Sequence, residues 1–106
     1  MSNTDYQELV LTCASWQEAQ TIADELLQKR LIACAEFIEI KSKYNWRGNP
    51  EEAKEIKLIM KTIADKFNAI EAVVAKLHSY ETFVLQALPV VQTSKAAETW
   101  LLEEIK

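Results

Sequence analysis

The sequence predicts an α+β fold of the ferredoxin-like kind, a βαββαβ order with an added C-terminal helix. Short β-branched and apolar runs alternate with segments whose apolar residues recur every three or four positions. One reversal, Tyr44-Asn45-Trp46-Arg47-Gly48-Asn49-Pro50, holds the only glycine and one of the two prolines, so two central strands meet there as a long antiparallel ribbon bending at Arg47 to Pro50. The chain has 106 residues, about half of them apolar, and no linker, repeat or low-complexity stretch, which predicts a single domain over residues 1–106.

Glu8 to Cys13 is apolar and short enough for a buried first strand. Ser15-Trp16-Gln17-Glu18 has capping-box spacing, so a helix starts at Trp16, with Glu18 reaching back to the Ser15 N–H. Trp16, Ala19, Ile22, Ala23, Leu26 and Leu27 form its apolar face, and Lys29-Arg30 suit the negative end of its dipole. After the apolar connection Leu31 to Ala35, the alternation of Glu36 to Tyr44 gives strand two, and Ile56 to Thr62 gives strand three. Phe67, Ile70, Val74 and Leu77 place a second amphipathic helix from Asp65 to about Leu77, and His78-Ser79-Tyr80-Glu81 is the loop that leaves it. Thr82 to Leu88 is strand four, ended by Pro89, and Thr93-Ser94 open a third helix with Ala96, Ala97, Trp100, Leu101 and Ile105 on its apolar side. Right-handed crossovers in both halves put two helices on one sheet face. The other face is left open, and its apolar groups predict oligomerisation through sheet faces or edges.

The totals narrow the function. Sixteen acidic against twelve basic residues give a net charge of −4, with the basic ones scattered, which argues against nucleic acid as a partner. No run approaches the roughly 20 apolar residues of a membrane span, and Met1 to Tyr6 lacks a signal peptide's basic start and apolar centre, so no membrane partner and a cytoplasmic location are expected. Cys13 and Cys34 cannot form a disulfide framework and read as reduced, mostly buried thiols.

His78, the single histidine, could be an acid, a base or a metal ligand, with Glu81 three positions on and Cys34 joining if the fold brings it near. The competing structural role is a cap on the carbonyl end of the second helix. One glycine cannot build a phosphate loop, and one histidine with no strained serine turn gives no triad, so no enzyme class is indicated. Glu51, Glu52 and Glu55 read as a solvated edge. Tyr44, Trp46 and Tyr80 need a ligand or a partner surface, and a subunit interface is the commoner answer.

Five blocks carry a resemblance: Lys29 to Ala35, Tyr44 to Gly48, Leu58 to Thr62, Leu77 to Glu81 and Ala87 to Pro89. In order and spacing the chain resembles the CutA family of divalent-ion tolerance proteins from Leu9 to Trp100. The resemblance implies a stable ferredoxin-like homotrimer whose ribbon reaches onto its neighbours, non-catalytic, and linked to tolerance of copper and other divalent cations, with no metal required for folding. It implies Cys34, His78 and Glu81 as copper ligands. It also implies a PII-like alternative, a sensor whose intersubunit cleft at Trp46, Lys61 and Tyr80 takes a small anionic effector. Ser79 and Phe83 stand where the family commonly has prolines, and Val84 where it has an acid.

Overall fold

A computed structural model describes residues 5–106, so Met1 to Thr4 of the polar start lie outside the described residues. The elements are β1 (Tyr6–Cys13), α1 (Trp16–Gln28), β2 (Cys34–Trp46), β3 (Asn49–Ile63), a 3-10 turn (Ala64–Lys66), α2 (Phe67–Leu77), β4 (Leu85–Pro89) and α3 (Lys95–Glu104). The strands form one antiparallel sheet in the order β2-β3-β1-β4, the ferredoxin-like arrangement.

Strand alternation decides which side chains meet the helices. Leu9, Leu11 and Cys13 of β1 and Ile56, Leu58 and Met60 of β3 point inward, where Ile22 and Leu26 of α1 and Ile70 and Val74 of α2 close over them. The outward set includes Val10, Ile38, Ile40, Ile59 and Leu88. Ile38 is 46% and Leu88 47% exposed, an apolar face with no cover in one chain.

Helix α1 begins as its spacing predicts, with a change of partner. Ser15 Oγ accepts the Glu18 N–H at 3.1 Å, but Glu18 Oε1 accepts the Ala14 N–H at 2.9 Å instead of the Ser15 N–H. At the other end Arg30 takes the left-handed conformation, φ 59°, as Arg30 N–H and Leu31 N–H bond back to Leu27 and Leu26 carbonyls.

The ribbon is longer than the sequence implies. β1 ends opposite Ile56, so Asn49–Glu55 pair only with Ile40–Trp46, a free two-stranded arm of roughly 23 Å. Glu51, Glu52 and Lys54 lack apolar alternation because both faces of the arm meet water there, which is why strand three is expected only from Ile56. The reversal itself takes only Arg47 and Gly48, φ 53° and 81°, the pair of positive values a two-residue I′ turn needs. Pro50 falls inside β3 opposite Asn45, where no second strand requires its missing N–H.

The second helix is preceded by the 3-10 turn, and strand four starts at Leu85, three residues later than Thr82. Phe83 explains the delay: its ring stacks on His78, centroids 5.3 Å apart, instead of entering the ladder. Helix α3 buries Leu101, Ile105 is buried just past its end, and Glu104 pairs with Arg30 at 2.6 Å. No helix among the described residues is long and apolar enough to cross a membrane.

Candidate functional site

Where the 78–84 loop crosses the end of β1 and meets the arm, it leaves a groove of about 620 Å³. Thr12, Ser42, Tyr44, Trp46, Glu55 and the stretch from Ser79 to Thr82 line it, with Asn45 and Val84 at its sides. Thr12, Ser42, Tyr44 and Trp46 reach it because they share the outward phase of their strands.

His78 sets the loop. Its side chain is fully buried, and both ring nitrogens are used: Nε2–H donates to the Thr12 carbonyl at 2.8 Å, and Nδ1 accepts the Tyr80 N–H at 3.0 Å. These partners fix the Nε2–H tautomer. The ring does not cap helix α2, since the capping group there is its backbone N–H, which bonds to the Val74 carbonyl. Glu18 is the second anchor, because its other oxygen, Oε2, accepts the Ser79 N–H at 2.7 Å. A proline at 79 would lack that N–H. Burial alone would raise the Glu18 carboxyl, but the Ser79 and Ala14 bonds, with His78 beside it, bring it below its ordinary value.

Beyond His78 the loop turns Tyr80 toward the sheet, where its hydroxyl donates to Glu55 Oε2 at 2.5 Å. Burial, then this bond and the Glu55 charge, push the phenol well above its usual range, so it stays a neutral donor. Glu55 is only 6% exposed. It is therefore no solvated edge residue but the floor of the groove. Sequence reasoning missed it because an acid in an acidic run carries no mark of burial.

The predicted ligand set is not assembled within one chain. His78 and Glu81 share the loop, but Cys34 pairs with Lys61 on the β3 ladder while Cys13, beside His78, pairs with Ile56. Five ladder positions separate the two, roughly 16 Å. Burial, then Glu36, raise the Cys34 thiol, with Lys61 pulling the other way.

The predicted cleft divides in the same way. Trp46 and Tyr80 line the groove, whereas Lys61 stands at the far end with Nζ 3.2 Å from Glu8 Oε2 and 3.3 Å from Glu36 Oε1. Without Lys61 the groove has no positive side chain, so an anionic effector loses the group meant to hold it. Every charged residue in its lining is a carboxylate, Glu55 and Glu81.

Among the described residues one trio does bring three metal-ligating atoms together: Cys13, Glu18 and His78, all within 4.8 Å. Its chemistry does not fit a resident ion. The lone pair of His78 Nδ1 is taken by Tyr80 N–H, and both Glu18 oxygens already hold backbone donors. Burial, then the Glu18 and Glu55 charges, push the Cys13 thiol up to about 12. The trio is a hydrogen-bonded hub that ties α1, β1 and the loop together.

Comparison with known proteins gives the family. The pattern of CutA1 divalent ion tolerance proteins matches residues 8–104. The Divalent-cation tolerance protein CutA of Archaeoglobus fulgidus is 36% identical over 98 residues, covering 92% of this chain and 96% of that one. Its counterpart in Thermus thermophilus is 34% identical with the same coverage. Among solved structures, the periplasmic divalent cation tolerance protein CutA of A. fulgidus superposes with a TM-score of 0.93 at 35% identity, over 95% of this chain and 99% of that one. CutA from Xylella fastidiosa gives 0.92 at 32% identity, over 96% and 99%. A fold and a sequence pattern that agree over almost the whole chain place it in the CutA1 divalent ion tolerance family.

Proposed function

We propose that the protein serves in tolerance of divalent cations by binding the ion weakly and reversibly in the groove beside the His78 loop, without catalysis. The observation that carries this is the sign of the lining: Glu55 and Glu81 face the groove and no lysine or arginine does. Two carboxylates among hydroxyls and rings make an open, exchangeable site rather than a closed structural one. Copper is the proposed ion, since it heads the affinity order of divalent first-row metals for oxygen and nitrogen donors. His78 has the role of holding Glu81 and Tyr80 in place, not of a ligand.

The working form is proposed to be a homotrimer, which the exposed Ile38, Leu88, Tyr44 and Trp46 support, since an apolar face of this extent calls for cover. The cytoplasm is proposed as its compartment, on the support of two free cysteines with no disulfide between them.

Calorimetric titration of the purified protein with copper tests the site, alongside Glu81→Gln, Glu55→Gln and Cys34→Ser, with the oligomeric state read by light scattering. Binding in the range of about 1 to 100 μM, weakened in both glutamate variants and kept in Cys34→Ser, is expected. Binding lost only in Cys34→Ser, or unchanged in every variant, would contradict the assignment.

A further inference from the structure

We infer that the loop from His78 to Val84 is a proton switch: a proton taken from water onto His78 Nδ1 exchanges that atom's partner, Tyr80 N–H, for the Glu18 carboxylate and releases the loop. The switch itself rests on the hub geometry alone, whereas its effect on cation binding rests on the groove site proposed above.

Two partners compete for one nitrogen. The Thr12 carbonyl can only accept, so Nε2 must carry a hydrogen, and Nδ1 is the ring position with a lone pair to give. Tyr80 N–H fills it at 3.0 Å, and Glu18 Oε1 stands 3.6 Å from the same atom. A neutral ring suits the donor and an imidazolium suits the carboxylate, and neither state suits both. Nor can the ring turn away, because Tyr80 and Phe83 pack on it with centroids 5.0 and 5.3 Å distant while Thr12 holds Nε2. Two discrete arrangements of one element are what a proton can choose between.

The surroundings set the direction. Glu18 faces the ring from α1, and Glu55 acts from β3 across the neutral Tyr80 hydroxyl. Cys13 of β1 adds no charge, since its thiol is pushed up to about 12. Among the described residues no lysine or arginine pairs with Glu18 or Glu55. Both charges therefore draw a proton to the ring, against the burial of its side chain. The cost falls on the loop. Tyr80 N–H is left beside a cation without its acceptor, and the hold on Tyr80 O–H over Glu55 and on Glu81 at the groove goes with it.

The intact protein is followed by NMR from about pH 8 to about pH 5, the span in which imidazoles ordinarily change charge. The readouts are the ring nitrogen shifts of His78 and the exchange of the Tyr80 amide hydrogen relative to an unstructured peptide at the same pH, with copper titrated by calorimetry on the same samples. Nδ1 is expected to gain its proton as the Tyr80 amide loses about fivefold or more of its protection, at one shared midpoint. Copper affinity should fall with it. Glu18→Gln, which removes the facing charge, should move the midpoint to lower pH, and His78→Gln, which has no titrating ring, should remove the step in copper affinity. A ring that stays neutral throughout, or one that gains its proton while the Tyr80 amide keeps its protection, overturns the inference. A midpoint unmoved by Glu18→Gln overturns it as well, and copper affinity that ignores the loop's release overturns its link to the groove. Release of the loop in a protein that binds no copper at any pH upholds the switch and removes the cation site instead.

Discussion

At one end of the outer sheet face Lys61 lies between Glu8 and Glu36, a third exposed to water; at the other, Glu55 and Glu81 line a groove with no basic side chain to answer them. The first arrangement is closed. Its cation and anions satisfy one another, the two hydrogen bonds keep the Lys61 ammonium charged against the pull of burial, and nothing is left for a ligand. The second is saturated underneath and open above. Glu18 and His78 spend every acceptor and donor on backbone groups, and this fixes the loop that presents Tyr80 and Glu81. Rigidity below and an unanswered charge above are what a binding site needs.

The largest break of that contrast is His78→Ala. It strands the Thr12 carbonyl and Tyr80 N–H and empties the space between Tyr80 and Phe83, so a loss of about 3 kcal/mol is expected in urea unfolding. Ser79→Pro is next. It removes the donor to Glu18, a charge-assisted bond of about 1.5–3 kcal/mol, against about 0.4–1 kcal/mol gained from a stiffer unfolded chain. A net loss of about 0.5–2.5 kcal/mol is the expected shift in unfolding free energy. A gain instead would mean that the family's proline, not this hydrogen bond, is the better anchor.

Acid should loosen the same end. The folded-state value of Glu18 lies below its ordinary 4.5, so its stabilisation is complete above that pH and is lost as the pH falls through the folded value. Glu18→Gln should therefore unfold more easily at neutral pH and show a shallower fall in melting temperature below about pH 4.5. The smallest effect belongs to the far end. Lys61→Met breaks a partly exposed pair cluster and should cost below about 1 kcal/mol, with copper binding unchanged.

The topology was legible because hydrophobic periodicity reports directly on which face is buried. Leu9, Leu11, Ile22, Leu26, Ile70 and Val74 are read from spacing alone, and all are core. The arm was half legible: Gly48 marked the turn, but a ribbon with two wet faces has no apolar rhythm to announce residues 49–54 as strand. At the site, His78, Tyr80, Trp46 and Glu81 stood out by residue type, whereas their organisation did not. The partners of His78 are backbone groups of Thr12 and Tyr80, which no sequence pattern names. The separation of Cys34 and Lys61 from the groove is a matter of ladder register, and spacing along the chain does not carry register between strands.

Paramagnetic broadening of backbone amide signals by substoichiometric copper tests the central claim most directly, because it maps the ion along the whole outer face at once. The signals of Thr12, Ser42 to Trp46, Glu55 and Ser79 to Val84 should fade first, while those of Cys34, Glu36 and Lys61 persist. Broadening centred on Cys34 and Lys61 would contradict the account and move the cation to the end of the sheet that its own ion pairs close.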